Sequence, residues 1–208
     1  MTDGAESFQT AFNVSRETIE RLEVFESLLI RWNPAINLVS KATLSQIWDR
    51  HFTDSAQIWK LRPESARSWL DLGSGAGFPG LVIAVLAAEQ EPALHVALVE
   101  SDARKSTFLA NTAREMGIDV TIHTERAENL EPQRADIISA RALAPMHKLL
   151  GYAMRHRNDR SICLFLKGAN HESELTEARK YWTFDLQKTP SRTGSGGVIL
   201  KIGAFGRV

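Results

Sequence analysis

The sequence predicts an α/β fold with a seven-stranded, mostly parallel sheet, a reversed last strand and a helical N-terminal extension. From residue 68 to residue 182, apolar runs of strand length alternate with helical segments, which is typical of a parallel sheet covered by helices on both faces. Two further strand-like runs, residues 184–188 and 198–202, are joined only by residues 189–197. Because that joint has no room for a crossover helix, these two strands should pair antiparallel.

The extension is predicted from the first sixty or so residues. Residues 1–12 look like a loose tail, and apolar side chains then recur at helical spacing from Ser15 until Pro34, which should end the helix. A second helix should be capped by Thr43 and closed by residues 62–64. We expect residues 1–64 to adjoin one compact unit, residues 65–208, and not to form a separate domain.

The alternation begins in residues 68–80, where a short apolar run that reads as a strand stops at Asp71. Glycines then fall on alternate residues, and Pro79 should open a helix. Further helices are expected after Asp102, after Pro145 and over residues 170–182. The remaining strands are expected near residues 94–100, 118–123, 135–140 and 161–166, followed by the two terminal runs.

Composition limits the class of protein. A chain of 208 residues with 43% hydrophobic residues suits one large domain with a sizeable core. Its apolar runs are too short to cross a membrane, and no basic head with an apolar signal segment is present at the N-terminus. The single cysteine, Cys163, excludes an internal disulfide and suits a reducing compartment. We therefore expect a cytoplasmic protein without a membrane partner, and a monomer.

Charge is unevenly distributed along the chain. Residues 1–136 contain 13 basic and 20 acidic residues, a net −7, whereas residues 137–208 contain 12 basic and 5 acidic residues, a net +7. A polyanion could approach the C-terminal part, although ordinary solvated charges would give the same count. The candidates for phosphate contacts are Lys148, Arg155, Arg157, Arg160, Lys167 and Arg192.

The glycine-rich turn after the first strand fits two classes of ligand. Gly75, Gly77 and Gly80 satisfy the G-x-G-x-x-G spacing of dinucleotide sites, and Glu100 follows twenty residues later. This frame would indicate an NAD-dependent oxidoreductase. A glycine turn that binds no ligand is a further alternative.

The second frame is acid-x-G-x-G-x-G, formed by Asp71 with Gly73, Gly75 and Gly77. It is typical of enzymes that use S-adenosylmethionine (SAM), where the acid can face the ammonium group of the methionine part. A carboxylate at that place would repel the negatively charged pyrophosphate of a dinucleotide. The reversed last strand also favours this frame, because a sheet with that strand is the arrangement of SAM-dependent methyltransferases, whereas NAD domains are usually parallel throughout.

Two acidic segments follow neighbouring strands and should lie at the same edge of the sheet. Glu100 ends the second strand, where a carboxylate can accept both ribose hydroxyls of an adenosine, or can simply cap the next helix. Residues 125–128 follow the third strand, and backbone groups of Ala127 and Glu128 could bind the adenine edge. An ordinary charged surface loop is the alternative there.

Arg141 follows the fourth strand, where methyltransferases hold the acceptor. Its planar, permanently charged guanidinium suits a carboxylate or a phosphate, and a structural pair with a nearby acid is the alternative. No Asn/Asp-Pro-Pro-aromatic motif for exocyclic amines is present, and Cys163 lies in a predicted buried strand, which argues against a cysteine nucleophile. These absences favour an acceptor such as guanine N7, which already offers a lone pair and needs no general base.

Other side chains leave alternatives open. His51 and Asp54 share a helix face and are candidates for a catalytic general base by residue type, although a structural hydrogen-bonding pair explains them better. Trp32 and Trp48 could stack on a flipped base, although core positions on amphipathic helices explain them better. We predict no metal site.

The chain resembles the ribosomal RNA small subunit methyltransferase G family (RsmG, also called GidB) over nearly all of residues 20–205. The helical extension joined to a glycine turn containing Phe78-Pro79-Gly80 is more specific than the glycines alone. The segments that carry the resemblance are Arg31-Trp32-Asn33, Asn37-Leu38, Trp48–Ser55, Trp69–Gly80 and Ser139–Ala142. Residues before 13 and the loop 189–197 match less clearly.

The resemblance implies a SAM-dependent enzyme that methylates N7 of one guanine in the 530 loop of 16S rRNA. Its partner would be 16S rRNA in the small ribosomal subunit or a precursor. It implies that Arg141 positions acceptor and SAM, with no general base, and that Glu100 stands where many members bind ribose. Cofactor contacts are implied at Gly73, Phe78, Ala127, Glu128 and Arg141, beside Asp71, Gly75 and Glu100 from the turn pattern. The alternatives are an NAD-dependent oxidoreductase and a non-catalytic RNA-binding module.

Overall fold

A computed structural model describes residues 2–193 and 196–208 and contains a single seven-stranded sheet in the order β3-β2-β1-β4-β5-β7-β6. The pairs β1–β2, β1–β4, β2–β3 and β4–β5 are parallel, whereas β7 runs antiparallel to β5 and β6. The predicted reversal of the last strand is confirmed. The strands are β1 (Ser68–Leu72), β2 (His95–Val99), β3 (Thr121–His123), β4 (Ala135–Arg141), β5 (Arg157–Lys167), β6 (Trp182–Pro190) and β7 (Val198–Arg207).

Four helices connect these strands and cover the sheet: α4 (Gly80–Gln90), α5 (Ala103–Glu115), α6 (Met146–His156) and α7 (His171–Ala178). Asp102 caps α5 as predicted, since its carboxylate accepts from the N–H groups of residues 104 and 105. The predicted helix over 170–182 is too long at its C-terminal end, because Trp182 begins β6 and buries its ring. The predicted joint 189–197 lies partly outside the described residues, at 194 and 195.

The N-terminal tail is not loose, which corrects the sequence expectation. It forms helix α1 (Asp3–Phe12), with the Thr2 hydroxyl accepting from the N–H of Ala5 at 3.3 Å. Ala5, Phe8 and Phe12 are buried, and the Phe8 ring lies 5.8 Å from that of Trp48. Burial of these apolar side chains against the rest of the extension supplies the stability that so short a helix lacks by itself.

Helix α2 (Arg16–Ile36) runs through Pro34, although Pro34 was expected to end it. Proline has no N–H, so the hydrogen bond from residue 34 to the Ile30 carbonyl is missing. Ile30 is 51% exposed, and its carbonyl group therefore lies on the solvent side of the helix. The helix ends instead at Asn37, which adopts φ 48° and whose N–H bonds the carbonyl of Asn33 at 2.9 Å.

The second predicted helix is an irregular helical stretch from Lys41 to Leu61. It consists of 3₁₀ turns at Lys41–Gln46 and Gln57–Leu61, a π-helical segment Trp48–Thr53 and the short helix α3 (Asp54–Ala56). Thr43 lies inside the first turn, not at its cap, which Ser40 occupies. This stretch brings His51 and Asp54 toward the end of the sheet, and π-helical segments are frequent at functional sites.

Two hydrophobic clusters lie on opposite faces of the sheet. Successive residues of β1 belong to different clusters: Trp69 packs with α1, α2, α4 and α5, whereas Leu70 packs with α6 and α7. The helices of the extension therefore share a core with one face of the sheet. We found no helix in the described part of the chain that is long and apolar enough to span a membrane.

Candidate active site

A cavity of about 490 Å³ opens where β1, β2 and β4 end. This is the edge at which open parallel sheets bind their ligands. Of the eight residues predicted to contact a cofactor, seven line this cavity: Gly73, Gly75, Phe78, Glu100, Ala127, Glu128 and Arg141. Its wall also contains residues that the sequence reasoning missed: Leu38, Val39, Lys105, Leu143 and Tyr152.

The glycine turn forms the wall of the cavity next to β1. Gly73, Gly75 and Gly77 all have positive φ, between 55° and 92°, a conformation that glycine adopts without steric cost. A Cβ on Gly73 would come within 2.5 Å of the Leu143 side chain. The turn therefore requires glycine at residue 73 both for its conformation and for the close approach of the segment that follows β4.

Asp71, the eighth predicted residue, does not line the cavity, because it is fully buried beneath the glycine turn. Its carboxylate accepts from the Ser139 hydroxyl at 2.6 Å and from the N–H of Gly80 at 3.1 Å. The first bond follows from the sheet register, which sets Asp71 opposite Ser139. Burial raises the pKa of Asp71 to about 6, against the opposing effect of these hydrogen bonds. Asp71 holds the shape of the turn, and the geometry does not place it against a cofactor ammonium group.

Glu100 connects the turn to helix α5. Its carboxylate accepts from the N–H of Gly75 and from the N–H of Asp102, each at 2.8 Å. Each oxygen keeps a further lone pair, so the carboxylate can also accept from ribose hydroxyls. A phosphate would compete with this carboxylate for the N–H of Gly75 and would be repelled by it. The site therefore fits the adenosine of SAM better than the pyrophosphate of NAD.

The loop after β3 is fixed by a hydrogen bond from the end of helix α6. The fully buried His156 donates from Nε2 to the Ala127 carbonyl at 2.7 Å, which leaves its Nδ1 to accept from the N–H of Gln133. Burial lowers the pKa of His156, which favours this neutral form. Since the Ala127 carbonyl is engaged, the N–H groups of Ala127 and Glu128, which have no hydrogen-bond partner within the described residues, are the groups available to an adenine.

Arg141 joins the extension to the sheet. Its guanidinium donates to the Arg50 carbonyl at 3.2 Å, to the Asp54 carboxylate at 3.3 Å and to His51 Nδ1 at 2.9 Å. It also lies 4.9 Å above the Phe78 ring. Arg141 therefore forms the structural pair with an acid that was the alternative to ligand binding, and it does so at the border of the cavity.

His51 and Asp54 do not bond each other, as a simple pair would, but meet through Arg141. Because an arginine only donates, His51 Nδ1 must accept, so His51 Nε2 carries the proton that bonds Thr43 at 2.9 Å. Burial and the charge of Arg141 lower the pKa of His51 to about 3. A neutral histidine with both nitrogens engaged is poorly suited to act as a general base.

Phe78 has a mainly structural environment although it lines the cavity. Its ring stacks with that of Phe25 at 5.1 Å and with that of His51 at 4.8 Å. Trp48 is buried and bonds Glu26 through its indole nitrogen, and Trp32 packs beside Phe108, so both tryptophans are structural, as expected. The aromatic side chains of the extension therefore support the turn from the helical side.

A second cavity of about 480 Å³ adjoins the first and shares Arg141, Ala142 and Leu143 with it. Ala142 has φ 54°, an uncommon conformation for a residue with a side chain, at the border between the two spaces. Cys163 is far from reactive, because burial raises the pKa of its thiol to about 12. Within the described residues we find no group of side chains able to hold a metal ion.

Comparison with known proteins identifies the family. The family model described as "rRNA small subunit methyltransferase G" (GidB) matches residues 18–197. Proteins named ribosomal RNA small subunit methyltransferase G are 49% identical in Cereibacter sphaeroides, over all of both chains, and 51% identical in Rhodospirillum centenum, over 95% of this chain and 89% of that protein.

Solved structures with the same fold are more distant in sequence. A putative class I SAM-dependent methyltransferase from Listeria monocytogenes superposes with a TM-score of 0.62 at 15% identity, covering 88% of this chain and 68% of that one. An O-methyltransferase from Bacillus cereus in complex with SAH gives a TM-score of 0.57 at 14% identity, covering 88% and 91%. These likenesses establish the class I methyltransferase fold, and the family model with the full-length relatives shows that the chain belongs to the rRNA small subunit methyltransferase G (GidB) family.

Proposed function

We propose that this protein transfers a methyl group from SAM to N7 of a guanine in the 530 loop of 16S rRNA. Family membership supports the methyltransferase activity on small-subunit rRNA. The observation that carries the proposal is the pair of adjoining cavities that share Arg141 and residues 142–143, one beside the glycine turn and one beyond it. A cofactor and an acceptor base in these two spaces can meet at the shared border.

The first cavity would hold SAM through groups already described. The remaining lone pairs of the Glu100 carboxylate accept the ribose hydroxyls, and the N–H groups of Ala127 and Glu128 face the adenine. Gly73 and Gly75 allow the methionine part to lie against the backbone, and Asp71 supports them from beneath. When bound, SAM supplies an electrophilic methyl group.

The protein contributes orientation to the reaction, not a proton acceptor. Guanine N7 carries a free lone pair, and the two groups near Arg141 that could act as bases are engaged: His51 at both nitrogens and Asp54 at both oxygens. Arg141 would align the acceptor with the cofactor, and alignment of two reactants can lower a barrier by about 7–11 kcal/mol.

The setting of the reaction is part of the same proposal. The substrate is 16S rRNA in the small ribosomal subunit or in its precursor, and the protein acts as a monomer in the cytoplasm. Residues 1–64 are an extension of the catalytic unit 65–208 and not an independent domain, because they supply the partners of Arg141 and of Phe78. Residues 65–208 alone should therefore fail to fold cooperatively.

Labelled SAM and small ribosomal subunits that lack the modification test the proposal directly. We expect one methyl group per subunit, mapped to guanine N7 in the 530 loop. Calorimetry should detect SAM binding and no NAD binding. Folded protein that binds SAM but labels no guanine N7 would refute the proposal, and binding of NAD in place of SAM would favour an oxidoreductase.

A further inference from the structure

The second cavity has the composition of a site for a flat, partly polar ring. Its volume of about 480 Å³ is in the range of small-molecule sites. Much of its lining is apolar, from the segment after β4 and from the ends of β5 and β7. The residues of that lining are Ala142, Leu143, Ala144, Pro145, Leu166, Val198 and Ile199. Such a lining can accept the faces of a base that has left its stack.

Two charged side chains of this cavity form a close pair. Lys167 Nζ lies 2.6 Å from Glu174 Oε2 and donates to the Ala144 carbonyl at 2.7 Å. The Lys167 side chain is only 7% exposed. An ammonium group has three N–H bonds, so one donor of Lys167 remains after these two contacts.

Glu174 has acceptor capacity to spare. Its Oε2 accepts from Lys167 and from the N–H of Met146, whereas its Oε1 has no hydrogen-bond partner within residues 2–193 and 196–208. The side chain is 29% exposed. Asp54, the other carboxylate of the cavity, differs, because one oxygen bonds Arg141 and the other accepts from Gln57 and Ser191.

We propose that Lys167 and Glu174 recognise the acceptor as guanine, an inference that rests on the proposed function. Around the ring from N7 come O6, then the N1–H, then the N2 amino group. With N7 at the border shared with the first cavity, the free donor of Lys167 meets O6, and Glu174 Oε1 accepts from the N1–H and the amino group. Adenine would set an amino donor against the ammonium group and a lone pair against the carboxylate, so it is rejected.

Base analogues separate this role from a purely structural ion pair. The substrates are RNAs whose target guanine is kept or is replaced by inosine, which lacks the N2 amino group. We expect the wild-type protein to methylate inosine about tenfold more slowly than guanine in kcat/KM. In Glu174→Gln, methylation of guanine should fall about tenfold, and the preference for guanine over inosine should disappear.

Two controls complete the experiment. Glu172→Gln changes an exposed carboxylate of the same helix that pairs with Lys188 and does not line the cavity, and it should keep the wild-type preference. SAM affinity, measured by calorimetry, should be unchanged in Glu174→Gln. Lys167→Met should discriminate less strongly against 2-aminopurine, which lacks O6 and the N1–H, because only the repulsion between Glu174 and the N1 lone pair then remains. If this variant does not fold, the inosine comparison decides alone.

The outcomes distinguish the two proposals. If the wild-type protein methylates guanine N7 and Glu174→Gln still disfavours inosine by the wild-type factor, the pair is structural and this inference is overturned while the proposed function stands. If the wild-type protein methylates no guanine, both fail together.

Discussion

The contribution of Asp71 to the stability of the folded protein depends on whether its carboxyl group is protonated. Its folded pKa of about 6 lies above the ordinary value of 3.8, so the folded protein holds the proton more tightly than the unfolded chain. The contribution to stability is complete below pH 3.8 and is lost as the pH rises through about 6. The hydrogen bonds from Ser139 and Gly80 oppose this loss by favouring the ionised form.

Asp71→Asn should remove that pH dependence. The unfolding free energy of the wild-type protein minus that of the variant should fall by up to about 3 kcal/mol between pH 4 and pH 7, as the raised pKa requires. Urea unfolding across this range measures it. A difference that stays constant or rises with pH would contradict the assigned charge state.

His156 was not singled out from the sequence, because its partner Ala127 is 29 residues away along the chain and the contact is made only in the folded protein. His156→Leu keeps the volume and removes both hydrogen bonds. SAM affinity should fall about tenfold, because the Ala127 carbonyl loses its partner and the loop loses its position. His147→Leu, on the same helix and without a bond to the loop, is the control. Equal SAM dissociation constants for the two variants would rule out a positioning role.

At the scale of elements, the irregular helical stretch 41–61 and the end of β4 are joined through Arg141. The guanidinium bonds three groups of the stretch from two nitrogens, Nη1 and Nη2, and the single nitrogen of a lysine cannot reproduce their planar arrangement. The two elements should therefore shift relative to each other when Arg141 is changed.

Arg141→Lys, and not only Arg141→Ala, should lower the rate of methyl transfer about 100-fold, the cost of a misplacement near 1 Å, while the protein stays folded. Single-turnover kinetics with circular dichroism measures both. Arg50→Gln preserves the backbone carbonyl that Arg141 uses and should be nearly normal. Near-normal transfer in Arg141→Ala would remove its assigned role.

Across the whole molecule, the six basic residues that were predicted to contact RNA phosphates fall into two groups. Lys167 is buried in an ion pair, and the guanidinium groups of Arg155 and Arg157 bond backbone carbonyls. Arg155 is nonetheless exposed, as are the remaining three residues, Lys148, Arg160 and Arg192. Lys148 and Arg192 lie near the edge of the sheet that carries the cavities, whereas Arg160 lies near the start of β5, at the opposite edge.

The salt dependence of RNA binding should follow this division. Lys148→Gln and Arg192→Gln should each reduce the slope of log affinity against log salt by about 0.7 to 0.9, the release expected per phosphate contact. Arg160→Gln should leave the slope unchanged. Fluorescence titrations at several salt concentrations measure it, and an equal effect of all three variants would indicate a diffuse electrostatic attraction without a binding edge.

The amino-acid sequence alone predicts the order of strands and helices along the chain, the glycine turn after the first strand and the reversed final strand. These features depend on local patterns: the period of apolar residues, the conformational freedom of glycine and a joint too short for a helix. It also indicates six of the residues that line the first cavity, because strand ends converge at one edge of a parallel sheet, whereas the seventh, Phe78, is indicated by the family resemblance.

The remaining features depend on contacts between segments that are far apart in the chain. Residues 1–12 became a helix because Phe8 and Phe12 are buried against distant parts of the chain, and α2 continued past Pro34 because the lost bond lies on its solvent side. The buried position of Asp71, the contacts of Arg141 and the pairing of Lys167 with Glu174 depend on which elements pack together. No local pattern encodes such contacts, because their free energy arises only when segments far apart in sequence pack together and exclude water.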